Sequence, residues 1–226
     1  MEDIHVLNAK VASLPDGKMG FDTTTPLNSI SARQFLNKGY DFVVRYIGRG
    51  DGSRTFTDIT QEEGQTIVDA GLGLCVVQHP LAEGWSPTAA KGKEFGASAA
   101  SLAGAAGLLV GTTVWLDLEG VSPASQPQDV IDYCNEWYDE VSAVGFVPGA
   151  YIGANPALSA DQIYWDLSMK SYWRGGSSEE SGVPVEIPHR GYQMVQRIAG
   201  SGTAEFDSDV IRTDNFGSAV RMCVSQ

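Results

Sequence analysis

Residues 113–120 read Thr-Val-Trp-Leu-Asp-Leu-Glu-Gly, a segment in which apolar and other residues alternate. Side chains of a β-strand alternate between its two faces. One face here is aliphatic and the other carries an indole and two carboxylates: Val114, Leu116 and Leu118 against Trp115, Asp117 and Glu119. An aliphatic face is expected where helices cover the outside of a barrel, so the carboxylates should point inward. They would then lie at the C-terminal mouth of the strands, the functional end of barrel proteins.

The rest of the chain alternates short β-branched or aromatic runs with helical patterns. Further strands are predicted at residues 19–24, 41–48, 73–78, 147–152, 171–173, 192–196 and 207–211. Thr60 with Glu63 predicts a capping box at one helix start, and Ser86 followed by Pro87 predicts the start of the next helix. The pattern indicates an α/β protein with a single (β/α)8 TIM-like barrel, with some late helices shortened or replaced by loops. A doubly wound open sheet is the alternative, but no Gly-x-Gly-x-x-Gly follows the first strand.

The chain shows no internal linker, repeat or low-complexity segment. Residues 1–18 precede the first predicted strand and are expected to form an N-terminal extension. The barrel is expected to occupy residues 19–226.

Acidic residues recur at the ends of the predicted strands. Asp22 ends the strand at 19–24, and Asp207 and Asp209 fall on the strand at 207–211. The first and last strands of a closed barrel are neighbours, so these acids should converge with Asp117 and Glu119 on one mouth.

Two acids buried side by side cost several kcal/mol unless they are paired, protonated or hydrated. One reading is structural, with Arg45 as a salt-bridge partner. The other is chemical: repulsion and partial burial raise the pKa of Glu119 and keep it protonated near neutrality, while Asp117 stays ionised. An acid beside a carboxylate is the pair that glycosidic cleavage needs.

Other polar and aromatic residues in or at the ends of predicted strands are candidates for binding a substrate. Sugars bind on flat apolar faces, and Tyr151 and Trp173 end their strands near the expected mouth. The substrate-binding residues predicted are Tyr151, Trp173, Arg45, Gln78, Asp209 and Asp207.

Composition excludes several classes of function. There are 15 Lys and Arg against 28 Asp and Glu, and the net charge of −13 argues against nucleic acid or an anionic membrane as partner. The weakly polar stretch at 96–110 is shorter than the ~18 residues of a membrane span, so no membrane insertion is expected. The three cysteines form no Cys-x-x-Cys, and His79 has no second ligand at metal-binding spacing, so neither metal nor cofactor is predicted. A metal-dependent phosphodiesterase barrel would usually need such histidines.

Four segments of the chain carry a family resemblance. GFDTT at 20–24, RYIGR at 45–49, WLDLEG at 115–120 and VPGAYIGAN at 147–155 resemble the glycoside-hydrolase-like TIM-barrel family of actinobacteria and phages. That family is related to the family 25 lysozymes, the N,O-diacetylmuramidases. The resemblance extends from about residue 19 to residue 216.

The resemblance implies roles for the strand-end acids. By analogy with the lysozymes, Glu119 is the proton donor, and Asp117 stabilises the transition state or positions the acetamido group of the substrate. Asp22 matches the acid of the first strand. The lysozymes close with an Asp-x-Asn strand, whereas Asp209 is followed by Val210 and Ile211, so the chain departs from the pattern there.

The function implied is lysozyme-like hydrolysis of bacterial cell-wall glycan, peptidoglycan or another N-acetylated glycan, by a retaining or substrate-assisted route. The alternative is a carbohydrate-binding barrel without turnover. The N-terminal residues show neither a basic segment nor an apolar one, so no signal peptide is predicted. We expect synthesis in the cytoplasm and action at the cell wall or periplasm, reached by phage-type release, by delivery or secretion machinery, or with a leader absent from this sequence.

Overall fold

The computed structural model describes residues 6–50, 57–176, 182–197 and 206–226. The strands in these residues are β1 (Lys10–Ser13), β2 (Met19–Thr23), β3 (Phe42–Ile47), β4 (Gly73–Gln78), β5 (Thr113–Leu118), β6 (Val147–Ile152), β7 (Ser171–Arg174), β8 (Met194–Arg197), β9 (Asp207–Ile211) and β10 (Arg221–Val224). The helices there are α1 (Ser29–Asn37), α2 (Gln61–Ala70), α3 (Ala89–Ala105), α4 (Pro127–Ala143) and α5 (Ala160–Trp165).

Strands β2 to β9 close into a barrel. Each of β2 to β7 runs parallel to the next strand, and β9 pairs with both β8 and β2. The ring is complete because β4 and β5 also pair, with Val76 opposite Val114. The predicted α/β barrel is therefore confirmed, and the open sheet is excluded because the first and last barrel strands are neighbours.

The last barrel strand departs from a regular (β/α)8 pattern. Strand β9 is antiparallel to both of its neighbours. Residues 198–206 separate it from β8, fewer than the dozen or so residues that a parallel crossover needs. As a result β9 begins at the mouth of the barrel and runs toward its floor. Asp207 lies opposite Asp22 at the mouth, and Asp209 lies opposite Gly20, two pairs deeper.

Large side chains fill the barrel interior. The buried residues of this inner cluster are Phe42, Val44, Cys75, Val77, Trp115, Tyr151, Trp173, Met194, Ile211, Val220 and Met222. Glycine occupies two strand positions, 20 and 149, where an aromatic ring from a neighbouring strand crosses the barrel interior. A Cβ on Gly20 would lie 2.3 Å from the Phe42 ring, and one on Gly149 would lie 2.4 Å from the Trp115 ring.

The helices pack outside, against the opposite faces of the same strands. The aliphatic face of β5, with Leu116 and Leu118, belongs to this outer core, as the alternation of residues 113–120 predicts. Helix α5 is short, and residues 182–193, before β8, contain no helix, in agreement with the predicted loss of late helices. Within the described residues, none of the helices combines the length and apolarity needed to cross a membrane.

Two helix starts differ from the prediction. Helix α3 begins after Thr88, whose side chain accepts the Lys91 amide, and not at Ser86. Thr60 caps α2 as predicted. The Glu63 side chain, however, reaches back to Arg45 on β3, because this buried guanidinium needs a counter-ion.

The two ends of the described chain lie together below the barrel. Strand β1, within the predicted N-terminal extension, pairs antiparallel with β10. Strand β10 in turn pairs antiparallel with β4, with Cys223 opposite Leu74. Met222 and Val220 belong to the inner cluster and close the floor of the barrel. A domain boundary between residues 18 and 19 stays a prediction.

Candidate active site

A pocket of about 230 Å³ lies at the C-terminal mouth of the barrel. Its lining is mainly polar and aromatic: Asp22, Tyr46, Val77, Pro80, Asp117, Glu119, Tyr151, Trp173, Gln196 and Asp207. The structure thus brings together six residues that the sequence nominated, from β2, β5, β6, β7 and β9. We call it the acid pocket.

Asp22 is buried at the end of β2 and receives two hydrogen bonds. Tyr46 Oη donates to Oδ1 at 3.0 Å, and Gln196 Nε2 donates to Oδ2 at 2.8 Å. Burial raises the pKa of Asp22 to about 6, while the two donors lower it by stabilising the anion. Among the acids of the pocket, Asp22 is therefore well equipped to carry a negative charge at neutral pH.

Asp117 has a different environment. Its Oδ1 is buried and has no hydrogen-bond partner among the described residues. Burial raises the pKa of Asp117 well above its usual range, and the charges of Glu119 and Asp22 raise it further. The expectation that Asp117 stays ionised is not met by these surroundings, because an anion there would face two acids without a compensating donor. The structure favours its protonated form.

Glu119 is half-buried at the rim, one step beyond the end of β5. Trp85 Nε1 donates to its carbonyl oxygen at 2.8 Å and holds the backbone in place. Burial raises the pKa of the Glu119 carboxyl, so it keeps its proton to a higher pH than an exposed glutamate. The carboxyl group occupies space left by Gly153, where a Cβ would lie 2.5 Å from Oε2 of Glu119 and 2.7 Å from Cε1 of Tyr151.

The two acids of β9 have separate environments. Asp207 lines the acid pocket, whereas Asp209 is fully buried beneath it. Asp209 Oδ1 accepts a hydrogen bond from Trp173 Nε1 at 2.9 Å. Burial raises the pKa of Asp209 well above its usual range, and the charge of Asp22 adds to the shift. Trp173 itself is buried and packs edge-on against Tyr151, so it forms the pocket floor rather than an open stacking face.

Replacement of Asp209 by asparagine is expected to stabilise the protein at high pH. The folded state holds the Asp209 proton to a higher pH than the unfolded chain, so the contribution of this group to stability falls as pH rises above the unfolded pKa. Asparagine keeps an oxygen for Trp173 and removes the charge. Differential scanning calorimetry at pH 8 should show Tm higher by roughly 2–4 °C or more, with a smaller gain near pH ~4.

The exposed Asp139 on α4 offers a matched control for this change. Asp139→Asn should leave Tm unchanged at both pH values. A Tm for Asp209→Asn below that of the wild type at pH 8 would contradict the assignment of a raised pKa to Asp209.

Besides Asp209, two more of the predicted site residues, Arg45 and Gln78, lie outside the acid pocket. Arg45 is fully buried on the outer face of β3, where its Nε donates to Glu63 Oε1 at 2.6 Å and its guanidinium also bonds the carbonyls of Thr23 and Thr57. Strand alternation explains this, because Arg45 has the opposite parity to the pocket residue Tyr46. Its nomination as a substrate-binding residue is corrected on this ground.

Gln78 also faces outward, toward the helices. Its Nε2 donates to the carbonyls of Gly48 at 3.3 Å and Phe95 at 3.0 Å. Its Oε1 accepts from Trp137 Nε1 at 2.9 Å. Gln78 therefore fastens α3 and α4 to the barrel instead of contacting the pocket.

Sequence reasoning missed Tyr46 and Gln196. The alternation of side chains along a strand could have identified both residues. Tyr46 shares a face with the inward Val44, and Gln196 shares a face with the inward Met194. Tyr151 Oη donates to Gln196 Oε1 at 2.9 Å, so the predicted Tyr151 reaches Asp22 through Gln196. Among the described residues, no group of three or more His, Cys, Asp and Glu side chains is arranged to hold a metal ion.

A barrel of this kind, with carboxyl groups gathered from several strands at its mouth, has the architecture of glycoside hydrolases. Residues 33–215 match the family described as the Rv2525c-like, glycoside hydrolase-like domain. The chain belongs to this family. No curated protein matches it by sequence.

Solved structures share the fold at low sequence identity. The Mycobacterium tuberculosis Tat-secreted protein Rv2525c, in complex with L-tartrate, aligns with a TM-score of 0.65 and 17% identity over 90% of this chain and 98% of that chain. A muramidase from Trichobolus zukalii aligns with a TM-score of 0.56 and 15% identity over 86% and 93%. The Streptococcus pneumoniae autolysin LytC, in complex with a synthetic peptidoglycan ligand, aligns with a TM-score of 0.61 and 11% identity over 87% and 47%.

Proposed function

We propose that this protein is a glycoside hydrolase that cleaves bacterial cell-wall glycan. The observation that carries the proposal is the contrast between the surroundings of two carboxyl groups in the acid pocket. Asp22 has two hydrogen-bond donors that stabilise its anion, and the half-buried Glu119 has a raised pKa. A carboxylate and a proton donor in one pocket are the two groups that glycosidic cleavage needs.

The reaction follows from these environments. Glu119 gives its proton to the glycosidic oxygen as the bond to the sugar ring breaks. The ring gains positive charge, and the Asp22 carboxylate stabilises it at short range. A water molecule then adds to the ring carbon and returns a proton to Glu119, which restores the acid. Asp117, held protonated by burial, donates a hydrogen bond to the substrate. Tyr151 and Gln196 act as positioning residues for Asp22.

The substrate class follows from charge and from the relatives. A chain of net charge −13 with further acids at its mouth disfavours polyanionic glycans, so a neutral N-acetylated glycan is the preferred ligand. The structural relatives described as a muramidase and as an autolysin with a peptidoglycan ligand support peptidoglycan in particular. Action at the cell wall requires export or release by delivery machinery, and the Tat-secreted relative is consistent with such a route.

Purified peptidoglycan tests the proposal directly. Incubation with the protein should release new reducing ends, with a bell-shaped dependence of the rate on pH, because Asp22 must be ionised while Glu119 is protonated. The rate should be measured from pH 4 to pH 8 with a fixed ionic strength. Absence of release over this whole range, by a folded protein, would overturn the proposal.

Gly153 provides a test of the Glu119 position. The added methyl group of Gly153→Ala must push the Glu119 carboxyl away, and a displacement of about 1 Å from reactive geometry lowers rates by about 10²-fold. Helix α3 offers the matched control, because a Cβ on Gly104 would meet nothing within 4 Å. Gly104→Ala should keep full activity. Equal activity of the two variants would contradict the placement of Glu119.

A further inference from the structure

A second cavity, of about 550 Å³, lies at the same end of the barrel. It is formed by loops that follow β4, β5, β6 and β7, and its volume is that of a site for a small organic ligand. We call it the side cavity. The residues that define it here are Glu83, Val121, Pro123, Pro156, Ala157 and Leu158.

The side cavity is tied to the strand that carries Glu119. Gly120 lies between Glu119 in the acid pocket and Val121 in the side cavity wall. The amide of Gly84, also a wall residue, donates to the Gly120 carbonyl at 2.7 Å. The amide of Val121 donates to the carbonyl of Asn155 at 3.1 Å. The wall of the side cavity therefore begins two residues after Glu119 in the chain. A ligand whose reacting bond lies at Glu119 has the side cavity beside it.

The two cavities differ in chemistry. Acidic and hydrogen-bonding side chains line the acid pocket, whereas carbon side chains form most of the named wall of the side cavity. A sugar ring carries several hydroxyl groups, each of which loses a hydrogen bond in such surroundings. An apolar group gains by leaving water there. The exposed carboxylate of Glu83 adds one negative charge at the edge, which suits an amino group.

One wall of the side cavity is held in an unusual backbone conformation. Asn155 has φ 54° and Ala157 has φ 57°, both in the left-handed region, with Pro156 between them. Such conformations persist where the surrounding structure holds them, and they are concentrated at ligand sites. A wall held in this way exists before the ligand arrives, so less ordering opposes binding.

We infer that the side cavity binds a short peptide, with apolar side chains and a free amino group, that is attached to the sugar next to the bond at Glu119. The inference rests on the proposed function and narrows its substrate to glycan that carries peptide. The sugar occupies the acid pocket, the apolar side chains of the peptide contact Val121 and Leu158, and the amino group meets Glu83.

The first test compares two substrates on the unaltered protein. Glycan strands that carry their peptides and the same strands after amidase treatment should both release reducing ends, the first with kcat/KM at least about tenfold higher. One buried apolar side chain accounts for a factor of about 10–100. Equal kcat/KM would overturn the inference while leaving the proposed function intact. Release from neither substrate would overturn the proposed function alone, since the binding test below does not depend on turnover.

The second test measures binding in the Glu119→Gln protein by calorimetry. The probes are N-acetylmuramic acid and N-acetylmuramyl-L-alanyl-γ-D-glutamyl-L-lysyl-D-alanyl-D-alanine, which carries three alanyl methyl groups and a free amino group. The second should bind at least about tenfold more tightly. Ala157→Phe fills the side cavity with a ring and avoids a β-branched residue at this left-handed position. It should abolish the difference in affinity between the two probes. Ala124→Phe, at an exposed alanine in the loop after β5, should preserve it. Equal affinities for the two probes, or a difference that survives Ala157→Phe, would overturn the inference; if that variant does not fold, the comparison of the two probes decides.

Discussion

Glu119→Gln is expected to lower the release of reducing ends from peptidoglycan by about 10²–10⁴-fold, the usual contribution of general acid catalysis. Glutamine has nearly the same shape, and the main-chain bond from Trp85 is unaffected, so Tm should stay within about 2 °C of the wild type. The rate should be measured at the optimum pH of the wild type.

The control for this variant is Glu94→Gln, at an exposed glutamate of α3 that does not line the acid pocket. It should have full activity. Wild-type turnover by folded Glu119→Gln would remove Glu119 from the role of proton donor. If neither the wild type nor the variant releases ends, yet both bind the glycan with saturation, the carbohydrate-binding barrel is the correct description.

Arg45→Leu is expected to lower the free energy of unfolding by about 3–5 kcal/mol. The substitution leaves the Glu63 carboxylate buried without its counter-ion, although Leu27 N still donates to it at 2.8 Å. It also removes the hydrogen bonds that the Arg45 guanidinium donates to the carbonyl oxygens of Thr23 and Thr57. Denaturant titration, followed by circular dichroism, measures the change.

The double variant Arg45→Leu with Glu63→Leu separates charge from packing. Removal of both ions should restore part of the stability, because a well-packed apolar pair often replaces a buried ion pair without loss. A single Arg45→Leu variant that loses less than about 1 kcal/mol would show that the pair contributes little. Retention of glycan binding by whichever variant folds would agree with a position outside the acid pocket.

Strand parity predicted the barrel and the inward acids, but it worked only where the two faces differ in chemistry. In β5 the aliphatic face identifies the outside, and Asp117 and Glu119 follow. In β3 both faces are buried, so the sequence does not reveal that Arg45 faces Glu63 while Tyr46 faces the acids. Gln78 was misplaced for the same reason.

The antiparallel direction of β9 determines which of its two predicted acids, Asp207 or Asp209, reaches the mouth. A parallel last strand would bring its C-terminal residues there instead. The antiparallel direction brings Asp207 to the mouth and places Asp209 two pairs of the ladder deeper. The length of the connection from residue 197 to residue 207 carried the signal, because it is too short for a parallel crossover.

The hydrogen bonds around Gln196 determine how a proton can travel to and from Asp22. Gln196 Oε1 accepts from Tyr151 Oη and from the amide of Gly176, so its Nε2 is the group that faces Asp22. An amide nitrogen does not relay protons at neutral pH, and burial raises the pKa of the Tyr46 hydroxyl, which therefore keeps its own. Neither contact carries a proton away from Asp22, and Asp209, the acid beneath Asp22, is itself fully buried. Exchange with bulk water has to pass through the opening of the acid pocket, and a glycan seated there would isolate the charge on Asp22 until the product leaves.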